Sequence, residues 1–157
     1  MGKGNRDYMA EPILDWILGG ISRSVSVKLF DDVGFIYEAQ LAKMELYSWW
    51  HDLDEFRRRA AYYEEVDGQK TYHYYISDIK GKDQIGRSNQ YLTHWYYPYK
   101  AKFHPQMIKA IINWMALKKG QKLLDPFVGS GTALIEAKLI GVDSIGVDID
   151  PFCVFMS

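Results

Sequence analysis

The sequence predicts an α/β protein in which a small α+β region precedes the beginning of a parallel sheet. The first observation is an order of helix, strand, Gly-rich turn, helix and strand between residues 104 and 148. The second is a mixture of alternating and helically spaced apolar residues in residues 1–90. With 157 residues, of which 48% are hydrophobic, the chain can bury the core of one ordinary domain. We therefore expect an N-terminal α+β region at 1–90 and an α/β unit at 91–157.

Composition excludes several classes of protein. Cys153 is the only cysteine, which excludes an intrachain disulfide and a cysteine-based zinc site. The four histidines lie at no metal-ligand spacing, so no metal site is predicted. No apolar run approaches the ~20 residues of a membrane span, and the N-terminus lacks the apolar stretch of a signal peptide. These features favour a reduced, cytoplasmic protein without a membrane partner.

Short strands and helices are predicted at the start of the N-terminal region. Alternating apolar residues predict a strand at 24–30, and a second short strand is predicted at 34–37. Residues 38–65 have helical spacing and are best divided into two helices, with Asp52 as the N-cap of the second. The three arginines at 57–59 follow acidic residues, which favours a solvated helix face.

The rest of this region contains a turn and a polar connection. Asp67-Gly68 is a strong turn signal, and the β-prone run at 71–76 predicts a strand after it. Residues 78–93 are rich in glycine and polar side chains, which favours a connection between the two predicted units.

The second unit begins with a helix at 104–117. Its predicted apolar face consists of Met107, Ile108, Ile111, Ile112 and Met115. A short buried strand at 122–124, a helix at 132–140 closed by Gly141, and a second buried strand at 144–148 complete the pattern. This order is typical of the opening of a parallel α/β sheet.

Charge is distributed unevenly along the chain. Residues 84–124 carry seven lysines and arginines and no acidic residue, whereas the segments on either side each sum to −4, which gives the net charge of −1. The basic block has two interpretations that the sequence leaves open. It can face the phosphates of a ligand, or its lysines can solvate a helix and its flanks.

The Gly-rich turn reads Asp125-Pro-Phe-Val-Gly-Ser-Gly-Thr132 and lies between a predicted strand and a predicted helix. A phosphate-binding loop of nucleoside triphosphatases needs a lysine after its second glycine, and none is present. A dinucleotide fingerprint needs a small residue where this chain has Leu134. S-Adenosylmethionine is the third candidate, because it has no pyrophosphate and carries an ammonium group that Asp125 can hold.

The second predicted strand ends in a carboxylate. Asp148 lies 17 positions after Gly131, where Rossmann-like folds use an acidic side chain to bind both ribose hydroxyls. Asp150 is the neighbouring candidate, although strand alternation favours Asp148. Ile149 is then available to pack on an adenine ring.

Together these segments resemble motifs I and II of the amino-methyltransferases that modify adenine-N6 or cytosine-N4 in DNA. The resemblance covers about residues 94–157 and is carried by 124–138 and 146–151. The segment at 97–105 is similar to motif X, which covers the methionine end of the cofactor in these enzymes. The resemblance implies an incomplete Rossmann-like class I methyltransferase sheet, S-adenosylmethionine as the cofactor and DNA as the partner.

The same resemblance assigns roles in cofactor binding. Asp125 would face the methionine ammonium and Asp148 the ribose, while Ser130 or Thr132 would bond the methionine carboxylate. The remaining residues would shape the turn or close over the cofactor. The full set is Phe103, His104, Pro105, Asp125, Pro126, Phe127, Gly129, Ser130, Gly131, Thr132, Asp148 and Ile149.

The catalytic residues remain unassigned. Amino-methyltransferases carry a Pro-Pro-aromatic motif that binds the flipped base, and this chain contains no Pro-Pro pair and ends nine residues after Asp148. We expect a split subunit, a truncated product or a fragment. It would transfer no methyl group alone, and would associate with the missing half or with a second copy. The alternatives are part of an RNA guanine-N2 methyltransferase, or a non-catalytic scaffold that binds the cofactor.

Overall fold

A computed structural model of the protein describes residues 25–78, 91–95 and 102–157. It has a mixed α/β architecture, as predicted. An antiparallel sheet has the strand order β1 (Val27–Leu29), β2 (Tyr63–Val66) and β3 (Gln69–Lys70). A parallel pair consists of β4 (Lys122–Asp125) and β5 (Asp143–Gly146). Most of the predicted connection at 78–93, and residues 97–101 of the segment similar to motif X, lie outside the described residues.

Helices precede and follow the strands of both sheets. They are α1 (Ile36–Trp49), α2 (Leu53–Arg59), α3 (Tyr72–Asp78), a 3₁₀ turn (Leu92–Trp95), α4 (Pro105–Trp114), α5 (Thr132–Leu139) and α6 (Pro151–Met156). Helix α4 packs against both α1 and α5. It therefore joins the antiparallel sheet and its helices to the parallel pair. None of the described helices combines the length and apolar character needed to cross a membrane.

The main core lies in the N-terminal region. Its buried members include Trp49, Phe56, Tyr62 and Val66, and Ala110 of α4 belongs to the same cluster. The Asp52 side chain accepts a hydrogen bond of 3.0 Å from the Glu55 N–H, which confirms the predicted N-cap of α2.

The strand predicted at 34–37 is wrong, because helix α1 already begins at Ile36. The Glu38 carboxylate accepts hydrogen bonds from the N–H groups of Gly34 and Phe35, at 2.9 and 3.0 Å, and so satisfies donors at the start of the helix. The two helices predicted within 38–65 are present, but the helical spacing was extended too far. Residues 63–66 form β2, in which Tyr63 pairs with Leu29.

The strand predicted at 71–76 is also wrong, since these residues begin helix α3. The Thr71 hydroxyl accepts from the Tyr74 N–H at 3.3 Å and donates to the Tyr63 carbonyl at 2.6 Å, so it starts the helix and ties it to β2. The predicted turn is present: Asp67 and Gly68 both have positive φ and connect β2 to β3.

Helix α4 buries more polar surface than its sequence pattern predicts. Ile112 is buried as expected, whereas Met115 is 52% exposed, so its place on the predicted apolar face was wrong. Because α4 packs on two sides, it also buries Gln106, Lys109 and Asn113.

The prediction that β4 and β5 are buried strands is wrong for one face of the pair. Leu123 packs against the small cluster of Ile112, Ala137 and Val142. Leu124 and Ile145, which are partners in the register, are 63% and 54% exposed. Successive residues in a strand point to opposite faces, and the described helices cover only one of them.

A buried polar network joins α1, α2 and α4. Asn113 Nδ2 donates to Glu45 Oε2 at 2.7 Å, and Arg59 Nε donates to Asn113 Oδ1 at 2.8 Å. Glu45 also accepts from the N–H groups of Ala61 and Tyr62. Arg59 is only 2% exposed, so the prediction of a solvated arginine face was wrong at this position.

Candidate functional site

The Gly-rich turn leaves the end of β4 and crosses the end of β5. Asp125 pairs with Gly146 in the parallel register. The backbone pairing continues beyond the strands, since the Val147 N–H donates to the Asp125 carbonyl and the Val128 N–H donates to the Val147 carbonyl, both at 2.9 Å. The turn is therefore fixed against the residues that follow β5.

Two glycines allow the turn to enter helix α5. Gly129 has a φ of 48° and Gly131 a φ of 77°, which is the left-handed region where a side chain is disfavoured. Gly131 is the N-cap of α5, and its N–H donates to the Val128 carbonyl at 2.8 Å. The first N–H groups of an α-helix have no partner within the helix, so this end of α5 favours an electronegative ligand group.

Asp148 connects the two strand ends through its side chain. Oδ2 accepts from the Gly129 N–H at 2.9 Å and Oδ1 accepts from the Asp150 N–H at 3.0 Å. The hydrogen bond from Asp150, followed by that from Gly129, lowers the pKa of Asp148. The carboxylate is thus ionised and held in one orientation, with lone pairs still available on both oxygens.

The other predicted residues of the turn occupy different environments. Asp125 is half-buried, and its Oδ1 accepts from the Phe127 N–H at 3.0 Å. Pro126 and Phe127 are exposed and Ile149 is fully exposed. The structure therefore gathers the acidic groups and these apolar surfaces around the ends of β4 and β5.

The hydroxyl residues and the neighbouring Asp150 also differ in their surroundings. Ser130 is half-buried and Thr132 is buried in the first turn of α5. Asp150 is the N-cap of α6, where its Oδ1 accepts from the Phe152 N–H at 2.9 Å. This capping role makes Asp148 the better candidate for a ligand group.

The residues expected to close over the methionine end lie at the start of α4. Phe103 is 59% exposed, His104 is the N-cap, and Pro105 is buried at the first helical position. The Lys102 ammonium just before them donates to the His94 carbonyl. The structure thus ties this segment to residues 91–95.

Sequence reasoning missed the role of Glu136. Glu136 is fully buried, and its Oε1 lies 2.7 Å from both the Tyr91 hydroxyl and His94 Nε2. The sequence carries one indication of this burial: Glu136 is the single charged residue among the apolar residues 133–137 of α5.

One member of the basic block does not face a ligand. Lys109 is 1% exposed, and its Nζ lies 3.3 Å from His73 Nδ1. Burial lowers the pKa of Lys109, while Glu136 and Glu45 raise it. No cluster of three potential metal ligands occurs within residues 25–78, 91–95 and 102–157.

A Gly-rich turn between a parallel strand and a helix, followed by a carboxylate at the end of the next strand, defines a candidate nucleotide-type ligand site in an α/β protein. The sequence comparisons assign a family to this arrangement. The DNA methylase family matches residues 35–156, and the chain belongs to this family. The resemblance seen in the sequence is confirmed, and the match begins well before residue 94.

Curated relatives match shorter stretches. The chain is 43% identical over 63 residues to type II methyltransferase M.BsoBI of Geobacillus stearothermophilus, which covers 40% of the chain and 12% of that protein. It is 42% identical over 60 residues to type II methyltransferase M.MjaII of Methanocaldococcus jannaschii, covering 38% and 11%. A tRNA (guanine(10)-N2)-dimethyltransferase of Methanothermobacter thermautotrophicus is 35% identical over 72 residues, covering 46% and 21%.

The chain therefore spans only a small part of the length of these relatives. No solved structure matches the chain.

Proposed function

We propose that the chain is the cofactor-binding portion of a DNA methyltransferase that transfers a methyl group from S-adenosylmethionine to an exocyclic base amine. The observation that carries the proposal is the Asp148 carboxylate, which is fixed between the Gly-rich turn and the start of α6. Membership of the DNA methylase family supports the reaction class. In this proposal β4, α5 and β5 begin a Rossmann-like class I sheet within a unit at 91–157, and 1–90 form a separate region.

The residues at the strand ends fit the nucleoside half of S-adenosylmethionine. Asp148 would accept hydrogen bonds from the ribose hydroxyls, because each of its oxygens retains a lone pair and its lowered pKa keeps it ionised. Ile149, which follows Asp148 in the chain, and Phe127 of the turn would provide apolar surface for the adenine, since both side chains are exposed.

The methionine half fits the turn and the start of α5. Asp125 would hold the ammonium group, and Ser130 or Thr132 together with the N-terminal N–H groups of α5 would hold the carboxylate. Pro126, Gly129 and Gly131 would shape the turn. Phe103, His104 and Pro105 would close over this end. When bound, the cofactor supplies the activated methyl group, and these residues bind and orient it.

DNA is the proposed substrate and RNA is not favoured. The two type II methyltransferases above are more similar to the chain than the tRNA enzyme is. The basic block at 84–124 would contribute charge toward the nucleic acid through its exposed lysines Lys118, Lys119 and Lys122.

We further propose that the base-binding motif is supplied from outside these 157 residues, because the chain contains no Pro-Pro-aromatic sequence. The exposed face of Leu124, Ile145 and Val147 would associate with the rest of a methyltransferase or with a second copy. Radiolabelled methyl transfer to DNA by the purified chain alone would contradict the proposal that the base-binding motif comes from outside these residues. A stable monomer in light scattering would count against the proposed association through the exposed face.

Calorimetric titration with S-adenosylmethionine tests cofactor binding. We expect the native chain to bind and Asp148→Asn to bind about tenfold more weakly, since hydrogen bonds to a charged acceptor are worth about 1.5–3 kcal/mol. Asp143→Asn is the matched control, because Asp143 is exposed at the opposite end of β5 and should leave affinity unchanged. An absence of binding by the native chain would refute the cofactor proposal.

A further inference from the structure

The side chain of Glu136 forms a buried connection between helix α5 and the segment at 91–95. Its Oε1 accepts from the Tyr91 hydroxyl and bonds His94 Nε2, both at 2.7 Å. Glu136 is fully buried, and Tyr91 and His94 are 1% and 6% exposed. Hydrogen bonds to a charged acceptor in such surroundings are strong and directional.

The Tyr91 hydroxyl stays protonated, as a donor to Glu136 must be. Burial, followed by the negative charge of Glu136, raises the pKa of Tyr91 well above its ordinary value. The hydroxyl therefore keeps its proton and acts as the donor. Lys109 is buried on the neighbouring helix α4, and its charge attracts that of Glu136, which reduces the cost of burying this carboxylate.

The connection continues from His94 toward the start of α4. The His94 carbonyl accepts a hydrogen bond from the Lys102 ammonium, and Lys102 directly precedes Phe103, His104 and Pro105. At its other end Glu136 lies about one helical turn after Thr132, the first residue of α5. A single path of hydrogen bonds thus runs from the helix behind the Gly-rich turn to the segment before α4.

We propose that Glu136 is a positioning residue that holds residues 102–105 in place relative to the Gly-rich turn. This rests on the proposed function, in which Phe103, His104 and Pro105 close over the methionine end of the cofactor. Glu136 touches no reacting atom in this role. It reduces the ordering that the segment must undergo when the cofactor binds, and its loss raises the dissociation constant.

Three variants separate the hydrogen-bonding role of Glu136 from a space-filling one. Glu136→Leu fills the space with an apolar side chain and removes the acceptor, Glu136→Gln keeps one acceptor oxygen, and Tyr91→Phe removes one donor. Lys138→Gln, at an exposed position of the same helix, is the control. Each variant is titrated calorimetrically with S-adenosylmethionine, and amide hydrogen exchange is measured on the ligand-free chain.

We expect Glu136→Leu to bind about tenfold more weakly and Tyr91→Phe about fivefold, from the usual worth of a hydrogen bond. Glu136→Gln should recover affinity to within about threefold of the native chain. Exchange at residues 102–108 should become faster in Glu136→Leu while β4 and β5 exchange as before. Native affinity in Glu136→Leu would overturn the proposal, as would native exchange at residues 102–108 or faster exchange spread evenly over the chain.

The two proposals can fail separately. If the native chain does not bind S-adenosylmethionine, the proposed function fails, while exchange at 102–108 in the ligand-free variants still decides whether Glu136 positions this segment. If the native chain binds and the variants lose no affinity, only the positioning proposal fails.

Discussion

The two halves of the molecule use their apolar residues in different ways. The N-terminal region buries Trp49, Phe56, Tyr62 and their neighbours in one cluster around α1 and α2. Around the parallel pair the fully buried hydrophobic cluster contains Ile112, Ala137 and Val142, and large apolar side chains lie exposed at the strand ends. The first region buries a continuous apolar core, whereas the second exposes the apolar surface that the proposed function assigns to a cofactor and a partner.

The largest effect should come from breaking the polar network that joins the two halves. Asn113→Leu removes a hydrogen-bond partner of Glu45 and of Arg59, leaving the buried carboxyl and guanidinium groups without a hydrogen bond that each makes in the native chain. We expect the free energy of unfolding to fall by about 4 kcal/mol, measured by urea denaturation. Trp114→Leu, at the half-exposed next position, is the control. A loss below about 1 kcal/mol in Asn113→Leu would contradict the importance of this network.

The second largest effect should be a pH dependence of the free energy of unfolding, caused by Glu45 in the N-terminal region. Burial raises the pKa of Glu45 from its ordinary 4.5 to about 7, against the lowering effect of its hydrogen bonds from Asn113, Tyr62 and Ala61. The folded chain therefore binds this proton more tightly than the unfolded chain. The resulting stability is full below pH 4.5 and is lost as the pH rises through about 7, a change of about 3 kcal/mol.

Urea denaturation at several pH values measures this dependence. Glu45→Gln should flatten the slope in the window between pH 4.5 and about 7, whereas Glu65→Gln, at a half-buried position of β2, should retain it. An unchanged slope in Glu45→Gln would show that another group is responsible.

The smallest of the three effects on the free energy of unfolding should come from a substitution in the parallel pair of β4 and β5. A methyl group added at Gly146 would lie 2.5 Å from Val128 Cγ2, which is closer than real contacts allow. We expect Gly146→Ala to lower the free energy of unfolding by about 2 kcal/mol and to weaken cofactor binding by displacing the turn. Gly34→Ala, whose added methyl group meets an ordinary contact at 3.8 Å, should be nearly neutral. Equal stability of the two variants would contradict the close packing of the turn on β5.

The elements of the candidate site could be predicted from the sequence because their signals are local. Gly129 and Gly131 require positive φ, and Asp148 lies two residues after the end of β5. The residues that the structure places at the strand ends are those that the motif named. Their roles toward the cofactor remain predictions.

The errors arose where tertiary contacts decide the structure. The run at 71–76 has strong β-propensity, yet the contact of Thr71 with β2 starts a helix there. Leu124 and Ile145 have the apolar character of buried strands, but burial depends on what covers the second face. Asn113 and Lys109 share a face of α4 at spacings typical of a helix, and their buried partners come from segments distant in sequence.

The two backbone hydrogen bonds to Asp148 also bear on the kinetics of ligand capture. The carboxylate is oriented when the chain folds, so under the proposed function the ribose of the cofactor would meet an acceptor that is already in its binding orientation. The slower step of binding would be the ordering of residues 102–105 over the cofactor. Association at the strand ends should then be fast, and the residence time of the ligand would be set by that segment.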